Sequence, residues 1–120
     1  MSPRVLALSA ALVAGIVTGA QAAYMCVGAS PRFLLFIDHG AAQFDFYPGT
    51  AFRVDPPAAR IPADTASAHT LTSGPHRIPV ILAPRACPVL GATLPVTAEL
   101  ALPGIEGPEM IVGCCSVMAQ

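Results

Sequence analysis

Lysine and tryptophan are both absent from this chain, whose six basic residues are arginines set against seven acids for a formal net charge of −1. No stretch gathers the basic stripe that nucleic-acid binding requires, and that class of function is excluded. Helical patterning is missing as well: beyond residue 22 no segment repeats apolar residues at i, i+3, i+4 and i+7 over more than two turns. All 13 prolines but Pro3 lie in that part of the chain and would interrupt a helix. There is no Gly-x-Ser-x-Gly elbow, no phosphate-cradling glycine loop and no Cys-x-x-Cys.

Long apolar runs are scarce too. One such run of Val, Leu, Ala, Ile, Gly and Ser, 5–17, follows Ser2-Pro3-Arg4 and is too short for a spanning helix, which needs about 20 residues. Ala20-Gln21-Ala22 then places small residues at the −3 and −1 positions of a cleavage site. Residues 1–22 therefore read as a secretory signal peptide cut between Ala22 and Ala23, with a retained membrane anchor as the bland alternative. Cys26 follows Met25 and bulky Tyr24 rather than a small residue, which favours soluble export over a lipid anchor. The domain expected to remain is 23–120, without a stable membrane span.

What is present is strand patterning. Strands are expected at 24–27, at 33–37 after the break Gly28-Ala29-Ser30-Pro31, and at 42–47, where Phe44 and Phe46 should face the core and Gln43 and Asp45 water. Asp38-His39-Gly40 joins the last two as a turn, with Gly40 free to take a positive φ. The hairpin 33–47 holds four of the five phenylalanines, Phe33, Phe36, Phe44 and Phe46, and is expected to supply the heart of the core. Further strands are expected at 50–54, 69–72, 77–83, 95–102 and 109–118, with Pro79 marking an edge position. Segment 55–67 reads as an irregular surface loop, and 84–88 places Cys87 in a loop. The expected fold is all-β: a small antiparallel barrel or sandwich of six to eight short strands, stapled by disulfides, after an N-terminal signal helix.

Four cysteines, Cys26, Cys87 and the adjacent Cys114 and Cys115, in an exported chain of about 100 residues imply two disulfides. Successive side chains of a strand point to opposite faces, so Cys114 and Cys115 can each hold a different distant segment. Either can take Cys26 or Cys87 on that ground alone.

The segment Gly28-Ala29-Ser30-Pro31-Arg32-Phe33-Leu34-Leu35-Phe36-Ile37 resembles the opening Gly-x-x-Pro-x-aromatic-x-Leu-x-Ile of a family of small, uncharacterised exported bacterial envelope proteins. A middle cysteine, a Pro-led strand and a closing Gly-Cys follow in that family; Cys87, 95–102 and Gly113-Cys114 stand in those places. Phe33 replaces the usual tryptophan, and Pro88-Val89-Leu90-Gly91 replaces a commonly acidic, polar loop. The resemblance implies export, a β-rich fold and no established activity. It also implies that Cys87 pairs with Cys114, which leaves Cys26 for Cys115; the swapped pairing stays open.

Candidate chemistry is thin. His39, His69 and His76 fall in expected turns or at strand ends and read as solvated side chains, although His69 and His76 with Asp64 offer a conceivable metal set. Glu99, Glu106 and Glu109 read as turn and edge charges rather than a glycosidase pair. The leading expectation is a non-enzymatic periplasmic or secreted binding or cell-envelope domain without cofactor, partnered by an envelope component or another protein. The alternative is an inhibitor of a cell-wall hydrolase, since c-type lysozyme inhibitors share an opening strand with a cysteine and a terminal cysteine. Their Ser-x-x-Tyr and Lys-Gly segments are missing here. A metal-handling protein using the histidines or cysteines ranks last.

Overall fold

The structure, a computed structural model, describes residues 21–119, and the expected signal helix lies outside the described residues up to position 20. The described residues form ten strands and no helix: β1 (Ala22–Ala29), β2 (Arg32–Asp38), β3 (Ala41–Phe44), β4 (Ala51–Asp55), β5 (Ser67–Ser73), β6 (His76–Ala83), β7 (Cys87–Val89), β8 (Ala92–Leu94), β9 (Val96–Leu102) and β10 (Glu109–Ala119). Eight of them close an antiparallel barrel in the order β1-β10-β9-β6-β5-β4-β3-β2, and β7 and β8 make a separate two-stranded hairpin. Each barrel strand pairs with the next barrel strand along the chain, β6 passing to β9 across the β7–β8 hairpin, and β1 meets β10 from Ala22↔Ala119 to Val27↔Cys114. Closure satisfies every edge of the sheet.

Period-two alternation decides what fills the barrel. In β2 Phe33, Leu35 and Ile37 are buried, and in β6 Ile78, Val80 and Leu82 are buried with exposed residues between them. The inward side chains, led by Tyr24, Phe33, Phe44, Phe52 and Leu71, form one continuous core. An eight-stranded barrel is narrow enough for side chains to fill it.

Several local readings are corrected. The third strand stops at Phe44, because Tyr47 N–H bonds back to Phe44 C=O at 2.9 Å and Thr50 N–H to Tyr47 C=O at 3.1 Å, which turns the chain early. Phe46 thereby leaves the alternation and is 37% exposed, its ring resting 5.0 Å from that of Phe44. Phe36 has outward parity in β2, and Phe52 of β4 takes the core place instead. The positive φ after β2 belongs to His39 (57°) and not to Gly40. Histidine tolerates this region better than most residues, and the segment beyond β4 holds it there: Ala58 N–H donates to His39 C=O at 2.7 Å and His39 Nδ1 lies 3.0 Å from Ala58 C=O.

Pro79 marks no sheet edge, since β6 lies between β5 and β9; the β6–β9 ladder runs only from Val80 to Ala83 and leaves Pro79 out. Cys87 is in a strand, β7, rather than a loop. Leu90 (φ 48°) and Gly91 (φ 82°) supply the two left-handed residues of the tight turn into β8, as a two-residue hairpin loop requires.

Cys114 and Cys115 explain how the hairpin is attached. Cys115 faces the core and bonds Cys26, its direct partner across the β1–β10 ladder, with Cα atoms 3.9 Å apart. Cys114 faces out and bonds Cys87 at a Cα separation of 5.3 Å, which fixes β7–β8 against the outer face of β10. Thr97, opposite Cys114 on β9, is buried despite its outward parity, and its hydroxyl donates to Arg85 C=O at 2.9 Å.

Candidate functional site

Five successive apolar residues, 33–37, cannot all face a core from one strand. Leu34 and Phe36 consequently stand on the outside of β2, where Phe36 lies directly across from Met25 of β1 and Leu34 across from Val27. Leu34 is 51% and Met25 38% exposed. The turn segment 45–50 rises beside them, and together they enclose an open groove of about 520 Å³. Met25, Leu34 and Phe36 make its floor, Tyr47 and Pro48 its wall, and Asp45 supplies the one charged side chain of the lining. Tyr47 is braced from behind by edge-on contact with Phe52 at 5.7 Å and by the His76 ring at 4.8 Å. This groove escaped the sequence reading, although the missing alternation in 33–37 was its signal.

The segment between β4 and β5 is a strap over one end of the barrel and not a free surface loop. Ala58 is fully buried, Ile61 packs on the core, and Ala59 bridges to Gln21 ahead of β1. Three side chains reach its carbonyls: His69 Nδ1 to Pro56 at 2.6 Å, His39 Nδ1 to Ala58 at 3.0 Å and the Tyr24 hydroxyl to Ala59 at 2.7 Å. A carbonyl only accepts, so Nδ1 of His69 carries a proton, and Nε2 lies 2.8 Å from the Ser67 hydroxyl. His69 is thus buried and engaged at both nitrogens, which corrects its reading as a solvated side chain. Burial holds the Tyr24 phenol above its usual range, against smaller lowering effects of a hydrogen bond with the Ile61 backbone and the charge of Arg60.

The remaining candidates do not converge. Among the described residues no three His, Cys, Asp or Glu side chains are placed to hold a metal ion, so His69, His76 and Asp64 do not form one set. His76 stacks on Tyr47, 4.8 Å away between ring centres. Glu99 meets Arg85 at 3.7 Å in an exposed ion pair, while Glu106 and Glu109 lie exposed at the turn before β10 and at its first residue. All four cysteines are in disulfides. Ala22 and Ala23, the expected cleavage pair, are both fully buried residues of β1. No helix among the described residues is long and apolar enough to cross a membrane. Nothing among protein-family models, curated proteins or solved structures matches this chain.

Proposed function

We propose that the chain is an exported, non-enzymatic binding domain of the bacterial envelope, periplasmic or secreted, and that it receives an apolar segment of an envelope protein in the groove over β1, β2 and β3. The observation that carries this reading is the outward floor of Met25, Leu34 and Phe36 on a barrel whose interior is filled by its own side chains. Asp45, the lone charge of the lining, favours a segment carrying one cationic residue. Two disulfides fit an oxidising extracellular compartment. The resemblance to exported envelope proteins points the same way. His69, the buried imidazole, ties the strap to β5, with Nδ1 on the Pro56 carbonyl and Nε2 on the Ser67 hydroxyl.

Titration of the purified protein with Nile red, a neutral apolar dye, and then with an apolar peptide carrying one arginine tests the groove. Both should bind wild type, and Leu34→Asp should abolish binding without lowering the melting temperature, because Leu34 is half exposed. Equal binding by the variant removes the groove from the proposal.

A second reading, inhibition of a c-type lysozyme, draws on the Cys26–Cys115 bridge, which joins the first and last barrel strands. Undiminished lysozyme activity in the presence of micromolar protein eliminates it.

A further inference from the structure

We propose that the leader is removed between Ala20 and Gln21, so that the exported protein begins at Gln21 and not at Ala23; this rests on the export reading above. Two overlapping sites offer small residues at −3 and −1: Thr18 and Ala20 for a cut before Gln21, Ala20 and Ala22 for a cut before Ala23. Local sequence suits either. The fold separates them. Gln21 forms a β-bridge with Ala59 of the strap. Ala22 is fully buried in the core and pairs with Ala119 of β10. Ala23 is also fully buried, held between Asp38 of β2 and Met118 of β10.

A cut before Ala23 discards the bridging residue and a core residue, and it turns a fully buried backbone N–H into an ammonium group. Burial disfavours such a charge strongly unless a partner neutralises it. A cut before Gln21 leaves the whole of β1 in place and sets the new charge at a residue that is only partly buried, outside the barrel ladder. The strap benefits directly, because Ala59 then keeps its bridge to Gln21, whereas its bond from the Tyr24 hydroxyl survives either cut.

The test is expression of the full precursor in an exporting bacterium, followed by intact mass and N-terminal peptide analysis of the exported protein. The expected terminus is Gln21, whether or not that glutamine has closed to its lactam with loss of ammonia. A terminus at Ala23 overturns the proposal and leaves export standing, whereas a retained Met1 overturns both. Thr18→Lys alters only the leader and disables the first cut while sparing the second. Its exported product should begin at Ala23, melt below wild type and exchange the strap amide of Ala58, bonded to His39 C=O, faster. If that shortened protein melts and exchanges like wild type, residues 21 and 22 contribute nothing to the fold and the proposal loses its basis.

Discussion

The ring of Phe33 occupies the space that a side chain at Gly113 would need: a Cβ built there would lie 2.5 Å from Phe33 Cζ. Phe33 is on β2 and Gly113 on β10, with β1 between them, so the ring spans three strands. Gly28, the direct partner of Phe33 on β1, is covered by the same ring. The two glycines make a bare patch of inner wall that a planar side chain fills. Gly113→Ala should cost about 1–3 kcal/mol by overpacking, since Val27 C=O stands 2.9 Å away on the other side. Urea denaturation reads this, and Phe33→Leu introduced in the same chain should recover part of the loss. An additive pair of effects would show that the contact is unimportant.

The two disulfides should differ in what they hold. Cys26–Cys115 closes a separation of 89 residues inside the barrel, and Cys87–Cys114 one of 27 on its outer face. Chain entropy puts their separate contributions at roughly 4.5 and 3.5 kcal/mol, as upper figures that do not add because the loops are nested. Replacing Cys87 and Cys114 by serine should leave the barrel amides protected and expose those of 87–94, whereas replacing Cys26 and Cys115 should lower protection throughout. Hydrogen exchange distinguishes the two patterns, and a global loss from the first pair would contradict the hairpin's role as an appended element.

Alkaline stability should depend on Tyr24. Its phenol is held above the usual range by burial, so the folded state keeps a proton that the unfolded chain releases from about pH 10 upward. The folded state then binds more protons than the unfolded one, and stability falls with rising pH until the folded phenol has ionised too. The contribution is fully present below about pH 10. Tyr24→Phe should flatten this decline, at a cost near neutrality of about 0.5–1.5 kcal/mol for the lost bond to Ala59 C=O. Thermal melts across that range, compared between wild type and variant, provide the check; identical slopes would mean that Tyr24 is not the group responsible.

His69 should hold the strap. Truncation to alanine leaves the Pro56 carbonyl and the Ser67 hydroxyl without the imidazole, which should cost about 1–3 kcal/mol. The amides of Ala58 and Thr65, bonded to His39 C=O and Pro62 C=O, should exchange faster while those of β9 and β10 do not. Uniform acceleration across the barrel would instead make His69 an ordinary core residue.

The strands at 33–37 and 77–83, the turn Asp38-His39-Gly40 and the opposed faces of Cys114 and Cys115 depend on a residue and its near neighbours, and these were legible along the chain. So was the all-β class, because twelve prolines and the lack of helical spacing act locally. Choices between distant segments were not legible. Phe46 and Phe36 look as core-directed as Phe44 until β3 ends one residue before Asp45 and β4 brings Phe52 into the remaining space. His69 reads as a loop imidazole until the strap lays the Pro56 carbonyl against it. Alternation separates the two adjacent cysteines but carries no information on which remote thiol lies behind each face; closure of β1 on β10 sets Cys26 beside Cys115, and the outer hairpin sets Cys87 over Cys114. The physical reason is the same in each case: strand period and turn preference are properties of a few consecutive residues, while burial, pairing and the outer groove are made by segments tens of residues apart that meet only when the barrel closes.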